Sequence, residues 1–114
     1  MEIPITIRQV TLSDLDEILA IEEANFSSEE AFSRQSLEES IRKTADTFLV
    51  ARDENQLVGY ILGEAQSLHP KWIAIKSLTI HPDHCGQGLG TLLIAALKQE
   101  TVELDYQGIF LQSP

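Results

Sequence analysis

The chain contains a single cysteine, Cys85. No intrachain disulfide can form, and such sparing use of thiols fits a reducing compartment. No cluster of cysteine and histidine has zinc-ligand spacing, so no metal site is expected. Basic residues are also scarce. Eight Lys and Arg against eighteen Asp and Glu give a formal net charge of −10. A general nucleic-acid binder needs a basic face to neutralise phosphate, and an anionic membrane surface asks for the same. Neither partner is expected. The acidic field admits a cationic substrate such as an amine, or it serves solubility alone. No apolar run approaches the roughly 18 residues of a membrane span. The opening Met1-Glu2-Ile3-Pro4 has neither the basic segment nor the cleavage pattern of a secretory signal. The expected location is the cytoplasm.

What remains is one small domain, residues 1–114, able to bury a single modest core. Its 43% hydrophobic residues and mixed charges are those of a globular chain rather than a disordered one. Ile3 to Val10 alternates as a strand, with Ile3, Ile5 and Ile7 on one face. Ser13 and Asp16 have the spacing of a capping box ahead of a helix in which Leu15, Ile18, Leu19 and Ile21–Glu22 continue at helical spacing, with acids on the other face. A Ser/Glu stretch near Ser27–Ser28 ends that helix, and a short one follows from Ser36 to Lys43. Thr47 to Arg52 and Leu57 to Ala65 read as a hairpin around the polar turn Asp53–Gln56. Gly59 inside the second strand suggests a bulge or a close backbone approach. Trp72 to Ile80 is a further strand. Leu89 to Glu103 is a helix whose stripe is Leu89, Leu92, Leu93, Ala96 and Leu97. Gly108 to Gln112 is a last strand. The order β-α-α-β-β-β-α-β ends in a βαβ unit, which implies parallel pairing there and an α/β mixed sheet.

The chemistry falls between the Trp72–Ile80 strand and the long helix. Cys85-Gly86-Gln87-Gly88-Leu89-Gly90-Thr91 packs three glycines into a strand-to-helix loop. Glycines there permit positive φ and close ligand approach, and successive N–H groups at a helix start can cradle an anion without lysine or arginine. The same spacing also suits a plain tight turn. Gly90-Thr91 lacks the lysine of a P-loop. The loop follows the fourth strand, where a dinucleotide fold would carry it after the first.

Taken together, Leu78-Thr79-Ile80-His81-Pro82-Asp83-His84-Cys85-Gly86-Gln87-Gly88-Leu89-Gly90-Thr91-Leu92-Leu93 resembles motif A of the GNAT superfamily of acyl-CoA N-acyltransferases. Gly88 and Gly90 fall on the two glycine positions of its Q/R-x-x-G-x-G/A loop, and Gly86 matches a common extra glycine. The likeness extends upstream through Phe26, Phe32 and Leu57-Val58-Gly59-Tyr60. It implies a GNAT-like fold and an N-acetyltransferase that moves an acetyl group from acetyl-CoA to a primary amine of a small molecule or protein by direct attack. By the same resemblance, Leu78, Thr79 and Ile80 face the acyl group and pantetheine arm, in a slot opened by a bulge in their strand. Cys85, Gly86, Gln87, Gly88, Leu89, Gly90 and Thr91 hold the pyrophosphate.

Three departures from the family pattern shape the expectations. Cys85 stands where an Arg or Gln is usual and reads as a small semi-buried filler rather than a reactive thiol. Lys76 stands where several relatives carry a basic glutamate, which leaves Glu64, His69, His81 and His84 as candidate bases. Glu64 is preferred because it ends a strand beside the slot, against the alternative of a solvated strand-end carboxylate. His81 and His84 read as turn residues, His69 as a loop residue, and Trp72 as core or rim. The usual helix and strand pair after the last strand have no counterpart, nor has the tyrosine that protonates the leaving thiolate; Tyr106 precedes the strand and does not replace it. A homo-oligomer through the C-terminal strand is expected, with little or no turnover by the chain alone. The alternative function is an acyl-CoA-binding or dimerising remnant.

Overall fold

Alternation of side chains along each strand dictates the layers. In the computed structural model, which describes residues 5–27, 29 and 31–111, the chain runs β1 (Thr6–Gln9), α1 (Leu15–Asn25), α2 (Arg34–Lys43), β2 (Phe48–Arg52), β3 (Leu57–Ala65), β4 (Trp72–Ile80), α3 (Leu89–Glu103) and β5 (Gly108–Leu111). Ile3, Ser28 and Gln112, named above, lie outside the described residues. The five strands form one sheet in chain order. Pairing is antiparallel from β1 to β4 and parallel between β4 and β5, across the α3 crossover. This is the mixed α/β sheet expected.

Because residues two apart share a face, Phe48, Val50, Tyr60 and Leu62 turn toward α1 and α2, where Ile18, Ile21, Leu37 and Ile41 cover them. Leu49, Ala51, Ile61, Ile73 and Ile75 turn the other way and meet Leu89, Leu93 and Leu97 of α3. Ile5 and Ile7 join this second layer, as their shared face implies. The bulge suggested at Gly59 falls on its neighbour Val58, and the close backbone approach is to Thr79, whose carbonyl oxygen would stand 3.1 Å from a Cβ at Gly59. Ala51 pairs with Gly59 but Arg52 with Leu57, which makes Val58 a bulge. A Cβ at Gly59 would stand 2.8 Å from Ile80 Cδ1.

Two local expectations need correcting. Thr11 and Asp14, rather than Ser13 and Asp16, form the turn that opens α1: the Thr11 N–H donates to Asp14 Oδ2 at 2.8 Å. Asp14 wins because Arg8 also grips it, with two bonds of 2.8 Å. Asp16 lies exposed and pairs with Arg34. Leu92 leaves the α3 stripe. It is 48% exposed, since the 100° step per residue carries it to the flank of the line Leu89–Leu93–Leu97.

Candidate active site at the β4–α3 junction

The glycine loop follows a short 3-10 turn, Pro82–His84, that caps the end of β4. The His81 N–H donates to the Val58 carbonyl at 2.8 Å, tying the loop's start to β3. Gly86 and Gly88 have φ of +83° and +78°, a region that side chains with a Cβ rarely adopt. Gly88 is the N-cap of α3, and the first intrahelical bond runs from the Leu92 N–H to the Gly88 carbonyl. The N–H groups of Leu89, Gly90 and Thr91 therefore stand ahead of the helical ladder. A Cβ built on Gly86 or Gly88 would meet nothing within 4 Å, and one on Gly90 only Leu78 Cδ2 at 3.8 Å. The loop is exposed, with room around its glycines, at the helix end where the positive dipole favours an anion.

The second part of the site is a break in β4. Leu62 stands opposite Ser77 but Gly63 opposite Ile75, so Lys76 is an extra residue, a bulge. β5 pairs with Trp72 to Ile75 and, among the described residues, with nothing beyond. The pairing of β4 with β5 thus stops at the bulge, while Ser77 to Ile80 continue along β3. Backbone groups of Leu78, Thr79 and Ile80 that point away from β3 meet no strand among the described residues. The strand end and the loop are contiguous, so the structure brings the expected cofactor residues together: Leu78, Thr79 and Ile80, then Cys85 to Thr91.

Several neighbours were invisible in the sequence. His84 is buried. Its Nδ1 lies 3.3 Å from Gln87 Oε1 and its Nε2 3.0 Å from Gln56 Nε2. Donation from Nδ1 and acceptance at Nε2 satisfy both contacts, so His84 braces the loop against the β2–β3 turn. This agrees with its reading as a turn residue. A hydroxyl chain runs along the α1 face of β4: Ser77 Oγ donates to Tyr60 Oη at 3.4 Å and lies 2.9 Å from Thr79 Oγ1. Asn25, at the end of α1, donates to the Ile80 carbonyl at 3.3 Å and so sets α1 over the end of β4. The contacts of His84 with Gln56, Ser77 with Tyr60 and Asn25 with Ile80 join residues far apart in the chain, so no spacing rule could find them.

Glu64 lies across from Ala74, on the far side of the bulge from Leu78. Its Oε2 is 3.9 Å from Lys76 Nζ, and it lines a cleft of about 400 Å³ with Ser36, Glu39, Ser40 and Lys43. Cys85 is exposed rather than semi-buried, with Sγ 3.7 Å from the His81 carbonyl. The buried side chain of this turn is His84. Trp72 sits at the rim, its indole N–H donating to Gln107 Oε1 at 3.1 Å.

The family model for the acetyltransferase (GNAT) family matches residues 12–113. No curated protein matches the chain by sequence. Among solved structures, Ard1 from Thermoplasma volcanium superimposes with a TM-score of 0.82 at 20% identity, over 94% of this chain and 70% of that one. The ribosomal-protein-S18-alanine N-acetyltransferase from Escherichia coli gives 0.78 at 15% identity, over 95% of this chain and 66% of the enzyme. A GNAT family acetyltransferase from Brucella melitensis, solved in complex with acetyl-CoA, gives 0.77 at 21% identity, over 99% of this chain and 78% of that one. At these identities the likeness to the solved structures is one of fold. The family match spans nearly the whole chain: the chain belongs to the GNAT acetyltransferase family.

Proposed function

We propose that this domain uses acetyl-CoA as co-substrate for N-acetylation of a primary amine, on a small molecule or a protein, in the cytoplasm. One observation carries the reading: an open, donor-lined loop at the start of α3 lies directly beyond the unpaired edge of β4. The N–H groups between Cys85 and Thr91 hold the pyrophosphate, and the backbone of Leu78, Thr79 and Ile80 lines the acyl arm. When bound, acetyl-CoA would supply an activated thioester: a neutral amine attacks its carbonyl carbon, the C–N bond forms, the C–S bond breaks, and coenzyme A leaves as a thiolate that takes its proton from water. The protein's share is to orient the acyl group, donate backbone hydrogen bonds to the developing oxyanion and take the amine's proton. Glu64 is our candidate for that proton, set at the β4 bulge with Lys76 beside it. Transfer from labelled acetyl-CoA to a panel of amines tests the reading. Glu64→Gln should lower kcat by about 10²-fold or more. An unchanged kcat removes Glu64 from the reaction.

A second reading has its own support. β5 is an edge strand with Phe110 and Leu111 exposed, Leu111 at 70%. Such an edge favours association with a second copy through the C-terminal strand. In that reading the domain binds acyl-CoA and dimerises without turnover. Tight binding of acetyl-CoA with no transfer to any amine would select it.

A further inference from the structure

Glu22 stands on the buried face of α1 beside Ile18 and Ile21, at 1% exposure. Its Oε2 accepts one hydrogen bond, from the Phe32 N–H at 3.2 Å. Its Oε1 is buried and has no partner among the described residues. Phe32 packs on the same apolar cluster and lies two residues before α2. Glu22 therefore joins α1 to the chain entering α2. One neutral N–H is poor solvation for a buried carboxylate, which normally gathers several donors or a cation.

Charged and titratable groups on the elements packed against α1 are engaged elsewhere. On β3, Tyr60 accepts from Ser77, and Glu64 faces Lys76 of β4. On α2, Arg34 pairs with Asp16 and Arg42 with Glu38, while Glu39 and Lys43 line the cleft beside Glu64. At the adjoining 3-10 turns, Asp14 is held by Arg8 and Arg52, and His84 by Gln56 and Gln87. Asp83 lies exposed, 3.9 Å from His81 Nδ1. Among the described residues no cation pairs with Glu22.

We propose that Glu22 is a proton-dependent latch: as the neutral acid it fastens the start of α2 to α1, and loss of its proton loosens that junction. The proton goes to solvent, and the new charge must then reach water or draw water in. Burial does push the Glu22 carboxyl above the ordinary glutamate range, with the Phe32 N–H opposing it only in part. The sign follows. A group whose folded pKa is raised contributes stability that is present below its unfolded pKa and lost as pH rises through the folded one. The latch is thus shut in acid and weakens toward alkali. It needs no acetyl-CoA, so it stands or falls apart from the proposed function.

The test is amide hydrogen exchange of Phe32 in the ligand-free protein from acid to mildly alkaline pH, corrected for the intrinsic pH dependence of exchange. Protection at Phe32 should fall about tenfold for each unit by which the Glu22 pKa is raised. In Glu22→Gln, which keeps the accepting oxygen but cannot ionise, protection should be flat. A flat profile in the unaltered protein, or the same slope in Glu22→Gln, overturns the proposal. Carbon NMR titration of the Glu22 carboxyl in the unaltered protein decides the matter independently of the variant's folding. A midpoint at or below that of a free glutamate overturns the latch, and a raised midpoint that tracks the Phe32 exchange supports it.

Discussion

At the residue scale, Gly88 and Gly90 separate two roles that the motif merges. Gly88 sits at φ +78°, so Gly88→Ala should cost roughly 1–2 kcal/mol of stability as well as cofactor binding. Gly90 lies in the first turn of α3, where a Cβ has room. Gly90→Ala should leave folding intact or improve it by up to about 1 kcal/mol. Weakened acetyl-CoA binding by folded Gly90→Ala in a calorimetric titration would then report ligand approach alone; unchanged binding by Gly90→Val would count against the cradle. Cys85→Arg should tighten binding by about 1 kcal/mol if the guanidinium gains one charge-assisted contact. Cys85→Ala, at an exposed position, should move neither binding nor melting. Asp14 obeys the opposite pH rule to Glu22. Burial works against its charge, yet the fork of Arg8 and the Thr11 N–H outweigh it and hold the carboxyl below the usual range. Its stabilisation is full above the unfolded pKa and lost as pH falls through the depressed folded one. Asp14→Asn should destabilise the domain by about 3 kcal/mol, with a shallower loss of stability in acid, measurable by urea unfolding against pH.

At the element scale, the sequence was most legible where one period dominated. β3, β4 and α3 run between the residues that their apolar patterns delimit. Where tertiary contacts compete, pattern misleads. Arg8 draws the capping role to Asp14, and the flank position of Leu92 cannot be told from the stripe by spacing alone. The distinction is measurable. Leu93→Ala should cost about 2–5 kcal/mol, because Leu93 is fully buried, whereas Leu92→Ala should stay within about 0.5 kcal/mol. The glycine loop was legible because its φ demands leave few residue choices. Its brace, His84, was not, since Gln56 lies 28 residues away. Glu22 continues the helical spacing of Leu15, Ile18 and Ile21, but spacing alone cannot show a carboxyl buried with a single hydrogen-bond donor; packing decides that.

At the scale of the whole molecule, the sheet divides its labour. β2, β3 and the first half of β4 carry the core, and the end of β4 beyond its bulge carries the opening. No helix among the described residues is long and apolar enough to cross a membrane. Under the dimerising reading proposed above, sedimentation equilibrium should find a dimer or higher oligomer; a monomer at high micromolar concentration would contradict that reading. The central claim is that the loop and the interrupted β4 together form an acetyl-CoA site. Thermal unfolding with and without acetyl-CoA tests it most directly, because a ligand that binds only the native state must stabilise it. At about one hundred times Kd the gain is about 2.7 kcal/mol, enough to raise Tm by several degrees in a domain of this size. The predicted result is a rise that grows with acetyl-CoA concentration and vanishes in Gly90→Val. An unmoved Tm at millimolar acetyl-CoA would contradict the account.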